Sequence, residues 1–217
     1  MATAQKAESV EEQLIHWVNQ NRRTAMTAGA VIAVVAGGIW FWSTARERRE
    51  TFAERALATA RTSAEASNLP LASSDLARLI ATYSGTRAAE EGTLLLAQVR
   101  LLQKQPALAI ADLRKFVASG PREEFRGPAN GLLGAALEEA GQAGEAAKAY
   151  EAAAAATPYR GVKAQDLLDA GRTFTTAGDT AQAAAAYDQL IRDFKDQSSA
   201  LEAKVRLAEL RKSPLSP

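Results

Sequence analysis

The sequence predicts an all-α protein: a single N-terminal transmembrane helix, then about four stacked helical hairpins closed by a capping helix. Three observations lead there. Residues 24–45, TAMTAGAVIAVVAGGIWFWSTA, contain no charged side chain. Downstream, small and large apolar residues return to fixed places every 37 residues. Within one period, GLLGAALEEAGQAGEAAKAYEAAAAATP reads as an Ala- and Leu-rich helix, a turn at Gly141 and Gly144, a second helix, and a stop at Pro158.

The chain begins with a polar lead, 1–23, that carries an amphipathic patch of Leu14, Ile15, Trp17 and Val18. The charge-free run follows. At a rise of 1.5 Å per residue it spans about 33 Å, enough for a hydrocarbon core of about 30 Å. Arg22 and Arg23 border one end, and Arg46, Arg48 and Arg49 the other. Trp40, Phe41 and Trp42 sit just inside the second border, where amphipathic rings favour the headgroup level. Ser43, Thr44 and Ala45 resemble a signal-peptide cleavage site, but the long lead and the crowding aromatics favour an uncleaved anchor. Gly29, Ala33 and Gly37 form a small-residue face suited to close helix contact in a bilayer. Five Arg within about twenty residues after the span, against Lys6, Arg22 and Arg23 before it, lean toward a cytoplasmic C-terminal region. That lean is weak, because long domains translocate with little regard to charge.

Composition excludes several chemistries. Lys and Arg number 26 against 25 Asp and Glu, so there is no basic field for a nucleic-acid backbone. With no cysteine there is no disulfide, thiol nucleophile or Cys-ligated zinc. The one histidine, His16, lies in the lead, which leaves the downstream domain without a Ser-His-Asp or HExxH arrangement. Glu138, Glu139, Asp166 and Asp169 supply carboxylates but no anchored partner for acid–base work. The expectation is a non-enzyme with no catalytic residue, cofactor, metal or small-molecule substrate.

A charged helical stalk, 46–52, leads to a repeat domain at 53–212, with units starting near Ala53, Glu90, Gly127 and Ala164. Ala60, Ala97, Gly134, Gly171 and Ala208 form one series of small residues. Ala72, Ala109, Ala146 and Ala183 form a second, and Leu76, Leu113, Tyr150 and Tyr187 a series of large ones. Leu79, Phe116, Ala153 and Leu190 come next. Small residues let two helices approach, and the large one on the next turn fills the gap beside them. One hairpin cannot bury its apolar face alone, so neighbours stack. Residues 80–99 echo 191–210 at three periods, which makes the extended linker part of the repeat. Residues 200–210 are the capping helix, its wet face expected from Arg206, Glu209, Arg211 and Lys212, and 213–217 a disordered tail.

This pattern resembles the tetratricopeptide repeat, a 34-residue unit here extended by about three linker residues. Pro121 and Pro158 match the family's closing proline, whereas Ser84 and Lys195 depart from it. At the family's large residue near the start of the first helix, only Leu167 fits; Ala56, Thr93 and Asn130 do not. A peptide groove would be drawn from the first helices: Arg61, Glu91, Leu94, Gln98, Leu101, Glu138, Gln165, Leu168 and Arg172. A two-carboxylate clamp for chaperone tails is not written there, because Leu57, Leu94, Gly131 and Leu168, with Arg61, Gln98, Ala135 and Arg172, hold its positions.

Taken together, lead, span, Arg-rich stalk and Ala-rich repeats resemble the bacterial ancillary SecYEG translocon subunit family of the YfgM type. The lead VEEQLIHWVNQNRRTAMTAGAVIAVVAGGIWFW carries much of that likeness. The resemblance implies a single-pass inner-membrane protein with its C-terminal domain in the periplasm. It further implies protein partners: the translocon, secreted or envelope clients, and periplasmic chaperones. The alternative is a structural tether coordinating envelope or cell-division complexes through self-association and outer-face contacts.

Overall fold

The computed structural model describes residues 20–212, apart from the side chains of Ala25, Ala28 and Gly29. The lead's apolar patch, His16 and the tail 213–217 lie outside the described residues. The described residues form nine helices: α1 (Arg22–Glu65), α2 (Leu69–Thr82), α3 (Arg87–Leu102), α4 (Pro106–Ala118), α5 (Glu123–Glu139), α6 (Ala143–Ala156), α7 (Arg160–Thr176), α8 (Thr180–Asp193) and α9 (Ser198–Lys212). Contacts divide the chain into two compact units, 1–49 and 50–217.

In the first unit, Val31, Ile32, Val34, Val35, Ile39, Trp40, Phe41 and Trp42 of α1 are all exposed. These positions point in every direction around a 3.6-residue turn, so no side of this stretch is covered. The Arg46 guanidinium lies 5.5 Å from the centre of the Trp42 ring. Among the described residues no helix is long and apolar enough to cross a membrane. The expected span is therefore not shown by the described helix.

The second unit is a stack of hairpins in the expected register. From α2 to α9 each helix packs on its chain neighbours, and α3 also touches α5, as α7 does α9. Ala72, Ala109, Ala146 and Ala183 have no exposed surface, and Leu76, Leu113, Tyr150 and Tyr187 are buried beside them. One core runs from Ala97 in α3 to Leu207 in α9, and a smaller one joins α1, α2 and α3 through Leu57, Leu76 and Leu96. The first helices start three or four residues before the expected unit starts, at Arg87, Glu123 and Arg160. Capping explains the difference at α3, where Thr86 Oγ1 accepts from Ala89 N and Glu50 accepts from Arg87 N and Ala88 N.

The turn inside each hairpin repeats as faithfully as the core. Ser67, Lys104, Gly141 and Gly178, one period apart, all adopt positive φ, at 58°, 60°, 75° and 79°. The next residue's N–H then bonds five residues back, as Asn68 to Ser63, Gln105 to Arg100, Gln142 to Leu137 and Asp179 to Phe174. This is the Schellman closure of a helix, which satisfies carbonyls the helix end leaves open. The expected echo between linkers is present too, since Thr86 N bonds Tyr83 O and Gln197 N bonds Phe194 O.

One member of the small series behaves differently. Ala208 is exposed, because no described helix follows α9 to cover it. The wet face expected of the cap is also mixed, carrying exposed Leu201 and Val205.

Candidate protein-interaction site

The residues expected to line a groove do share the first helices, but the four charged ones are occupied with one another. Arg61 of α1 pairs with Glu91 of α3. Arg172 of α7 grips Glu138 of α5 with both guanidinium nitrogens, the second at 2.8 Å, and reaches Asp169 at 3.4 Å. The Tyr150 hydroxyl donates to the same Glu138 carboxylate at 3.3 Å. Arg172's hydrogen bonds hold the Glu138 carboxyl below the usual carboxylate range, while burial and the Glu138 charge push the Tyr150 hydroxyl up. Gln165 donates to Asp169 at 3.1 Å, and Gln98 is exposed. Leu94 and Leu101 are half-buried against the core, and Leu168 is only 5% exposed. Leu168 is thus a core residue and offers no footing to a ligand. Ala33 and Gly37 of the other expected face are exposed, with nothing within 4 Å of a Cβ at Gly37. Gly29 falls among the side chains not described.

An open apolar site lies elsewhere on the first helices. A cleft of about 510 Å³ opens where α5 and α7 flank the α6–α7 connection. Pro158 restricts Thr157 to extended backbone, which ends α6 and turns the chain across α5. Gly127 permits this approach, because a Cβ there would stand 3.2 Å from Thr157 Cβ. The connection leaves Tyr159 71% exposed at the start of α7, with Val162 half-exposed one turn on. Pro128, also exposed, lines the opposite wall.

Among the described residues three carboxylates line this cleft, Glu123, Glu124 and Asp166, and no cation does. Glu124 reaches outward to Arg87 Nε at 3.4 Å. Asp166 has no cation or hydrogen-bond donor on it among the described residues. Burial, and then the charge of Asp169, push its carboxyl up to about 6. The arrangement can receive an apolar or aromatic side chain beside a cationic one. Tyr159, Val162 and Pro128 were absent from the sequence-level expectation. The available signal was Pro158-Tyr159 itself, a large aromatic directly after a helix-ending proline. No grouping of His, Cys, Asp and Glu that could hold a metal is present among the described residues.

A family described as a tetratricopeptide repeat-like domain matches residues 16–212. The chain belongs to the tetratricopeptide repeat-like domain family. Solved structures agree on the fold. The putative kinesin light chain of Podosopora anserina, with nearly identical TPR-like repeats, aligns at a TM-score of 0.58 and 18% identity, over 75% of this chain and 87% of that one. A tetratricopeptide repeat protein from Parabacteroides merdae aligns at 0.60 and 12% identity, over 73% and 60%. The MamA protein aligns at 0.54 and 20% identity, over 74% and 86%. No curated protein matches the chain. A tetratricopeptide-like array is a protein-interaction fold, and its stacked first helices present the α5–α7 cleft.

Proposed function

We propose that this tetratricopeptide-like protein is a non-enzymatic, membrane-anchored interaction module that holds extended segments of other proteins. The observation that carries the binding reading is the α5–α7 cleft, with exposed Tyr159 and Val162 beside the Asp166 carboxylate, unpaired among the described residues. A shallow site of mixed character suits short apolar and basic stretches held weakly, rather than one small molecule.

The anchoring reading rests on the charge-free run 24–45 and its Arg borders. Its described part adds apolar side chains uncovered on all sides, a pattern that suits a bilayer and leaves too much apolar surface in water. On the resemblance of the lead and span, the chain sits in the bacterial inner membrane with its repeats in the periplasm. There it assists translocon-associated secretion and the chaperoning of envelope proteins. A second reading, a tether coordinating envelope or cell-division complexes, draws on the Gly29, Ala33 and Gly37 spacing.

A photo-crosslinking residue placed at Val162, and separately at Leu71 on α2, tests the binding reading in intact cells. Adducts with secreted proteins from Val162 and few from Leu71 support it. Equal adducts from both positions, or none from Val162, contradict it.

A further inference from the structure

The last described helix exposes a face that its counterpart buries. One period back, Leu201, Val205 and Ala208 correspond to Ala164, Leu168 and Gly171 of α7, all buried in the repeat core. In α9, Leu201 is 69% exposed and Val205 52%, and Ala208 is exposed as well. Ala200, Ala203 and Leu207, on the opposite side, are buried against the solenoid. The open stripe therefore points away from the body of the unit.

The stripe has coiled-coil spacing and a charge pattern that selects an orientation. Leu201, Val205, Ala208 and Lys212 step by four, three and four residues, the d, a, d and a places of a heptad. Glu202 and Glu209 then occupy one flank, at e, and Lys204 and Arg211 the other, at g. Two such helices in parallel about a two-fold axis set each g residue beside the e residue five places on. Lys204 of one copy meets Glu209 of the other, twice by symmetry. An antiparallel pair would instead set Glu202 against Glu209 and Lys204 against Arg211, like charge on like. A β-branched residue at a with Leu at d favours two strands over three or four. Glu202 and Glu209 lean on Arg206 within the chain, at 3.4 and 4.0 Å, with side chains 49% and 63% exposed. Lys204 is in no ion pair among the described residues.

We propose that a second copy of this chain docks on this face, α9 against α9 and parallel. Fewer than two heptads make a small interface, so the pair is weak and concentration-dependent.

The absence of native cysteine allows a direct test. At a d place, residue 208 faces its own symmetry mate. Full-length Ala208→Cys protein in detergent, mildly oxidised, should give a band at twice 23.0 kDa. Ser74→Cys, exposed on α2, should give little. Adding Lys204→Glu should cut the Ala208→Cys yield by about five-fold or more without moving the melting temperature, and Glu209→Lys on top should restore it. A yield no higher than that of Ser74→Cys, or one indifferent to Lys204→Glu, overturns the proposal. So does a link that forms only between copies carrying Val205→Cys and copies carrying Ala208→Cys, which marks the antiparallel arrangement.

Discussion

A Cβ added to Gly134 would stand 2.8 Å from two carbons of the Tyr150 ring, closer than such atoms ever lie. The same relation holds between Gly171 and Tyr187. In the first two hairpins the partners are Ala60 with Leu76 and Ala97 with Leu113, all fully buried. The smaller the residue on the first helix, the larger its partner on the second, so the volume at the crossing is conserved from hairpin to hairpin.

Gly134→Ala should therefore destabilise the protein although alanine is the better helix former. Overpacking typically costs about 1–3 kcal/mol, against a propensity gain of about 1 kcal/mol. Tyr150→Leu added to Gly134→Ala recreates the pairing of the first two hairpins and should recover part of the loss. Urea unfolding of the four proteins in a double-mutant cycle checks this. Additive effects would mean the two residues do not share the crossing.

Ser67 holds a left-handed backbone that glycine occupies in the third and fourth hairpins. Ser67→Gly should stabilise the fold by about 1 kcal/mol, the cost of that conformation for a residue with a Cβ. Lys104 is the less clean site for the change, because its ammonium also pairs with Glu139 at 3.0 Å. Thermal melting of Ser67→Gly gives the result, with a lowered midpoint as the contrary finding.

Asp166 gives stability a pH signature of unusual sign. Its folded carboxyl is pushed up to about 6 from an ordinary value of 3.8. Between those values the folded state holds the proton more tightly than the unfolded chain. The stability Asp166 contributes is thus full below its unfolded pKa and lost as pH rises through about 6. Glu138, with a lowered carboxyl, acts oppositely and loses its contribution as pH falls. Asp166→Asn should raise the melting temperature at pH 8 and leave it nearly unchanged at pH 4. An equal shift at both would remove charge desolvation as the cause.

For topology, protease added to intact spheroplasts should digest the 50–217 unit. Protection until the membrane is lysed would place the repeats in the cytoplasm.

The hairpin array was legible in the sequence because its register rests on side-chain volume. All four residues from Ala72 to Ala183 are buried where the period sets them. Charge on the first helices was less legible. Arg61 finds Glu91 and Arg172 finds Glu138 across neighbouring hairpins, at separations that periodicity within one helix does not reveal. Leu168 shows a related limit, since a first helix turns some of its apolar residues inward and the repeat does not say which. Two of the four left-handed turn residues, Ser67 and Lys104, are not glycine, so composition hid half of that series. Tyr159 and Val162 were missed because the segment after Pro158 reads as punctuation until the fold gives it a wall on α5.

Binding of a labelled, permanently unfolded secreted polypeptide to the full-length protein in detergent tests the central claim most directly, read by fluorescence anisotropy. Saturable binding is expected, weakened about ten-fold by Tyr159→Ala, as for an aromatic anchor worth about 1.4 kcal/mol, and little changed by Leu71→Ser. Binding that ignores Tyr159→Ala, or no binding at all, would contradict the claim that this cleft holds protein segments.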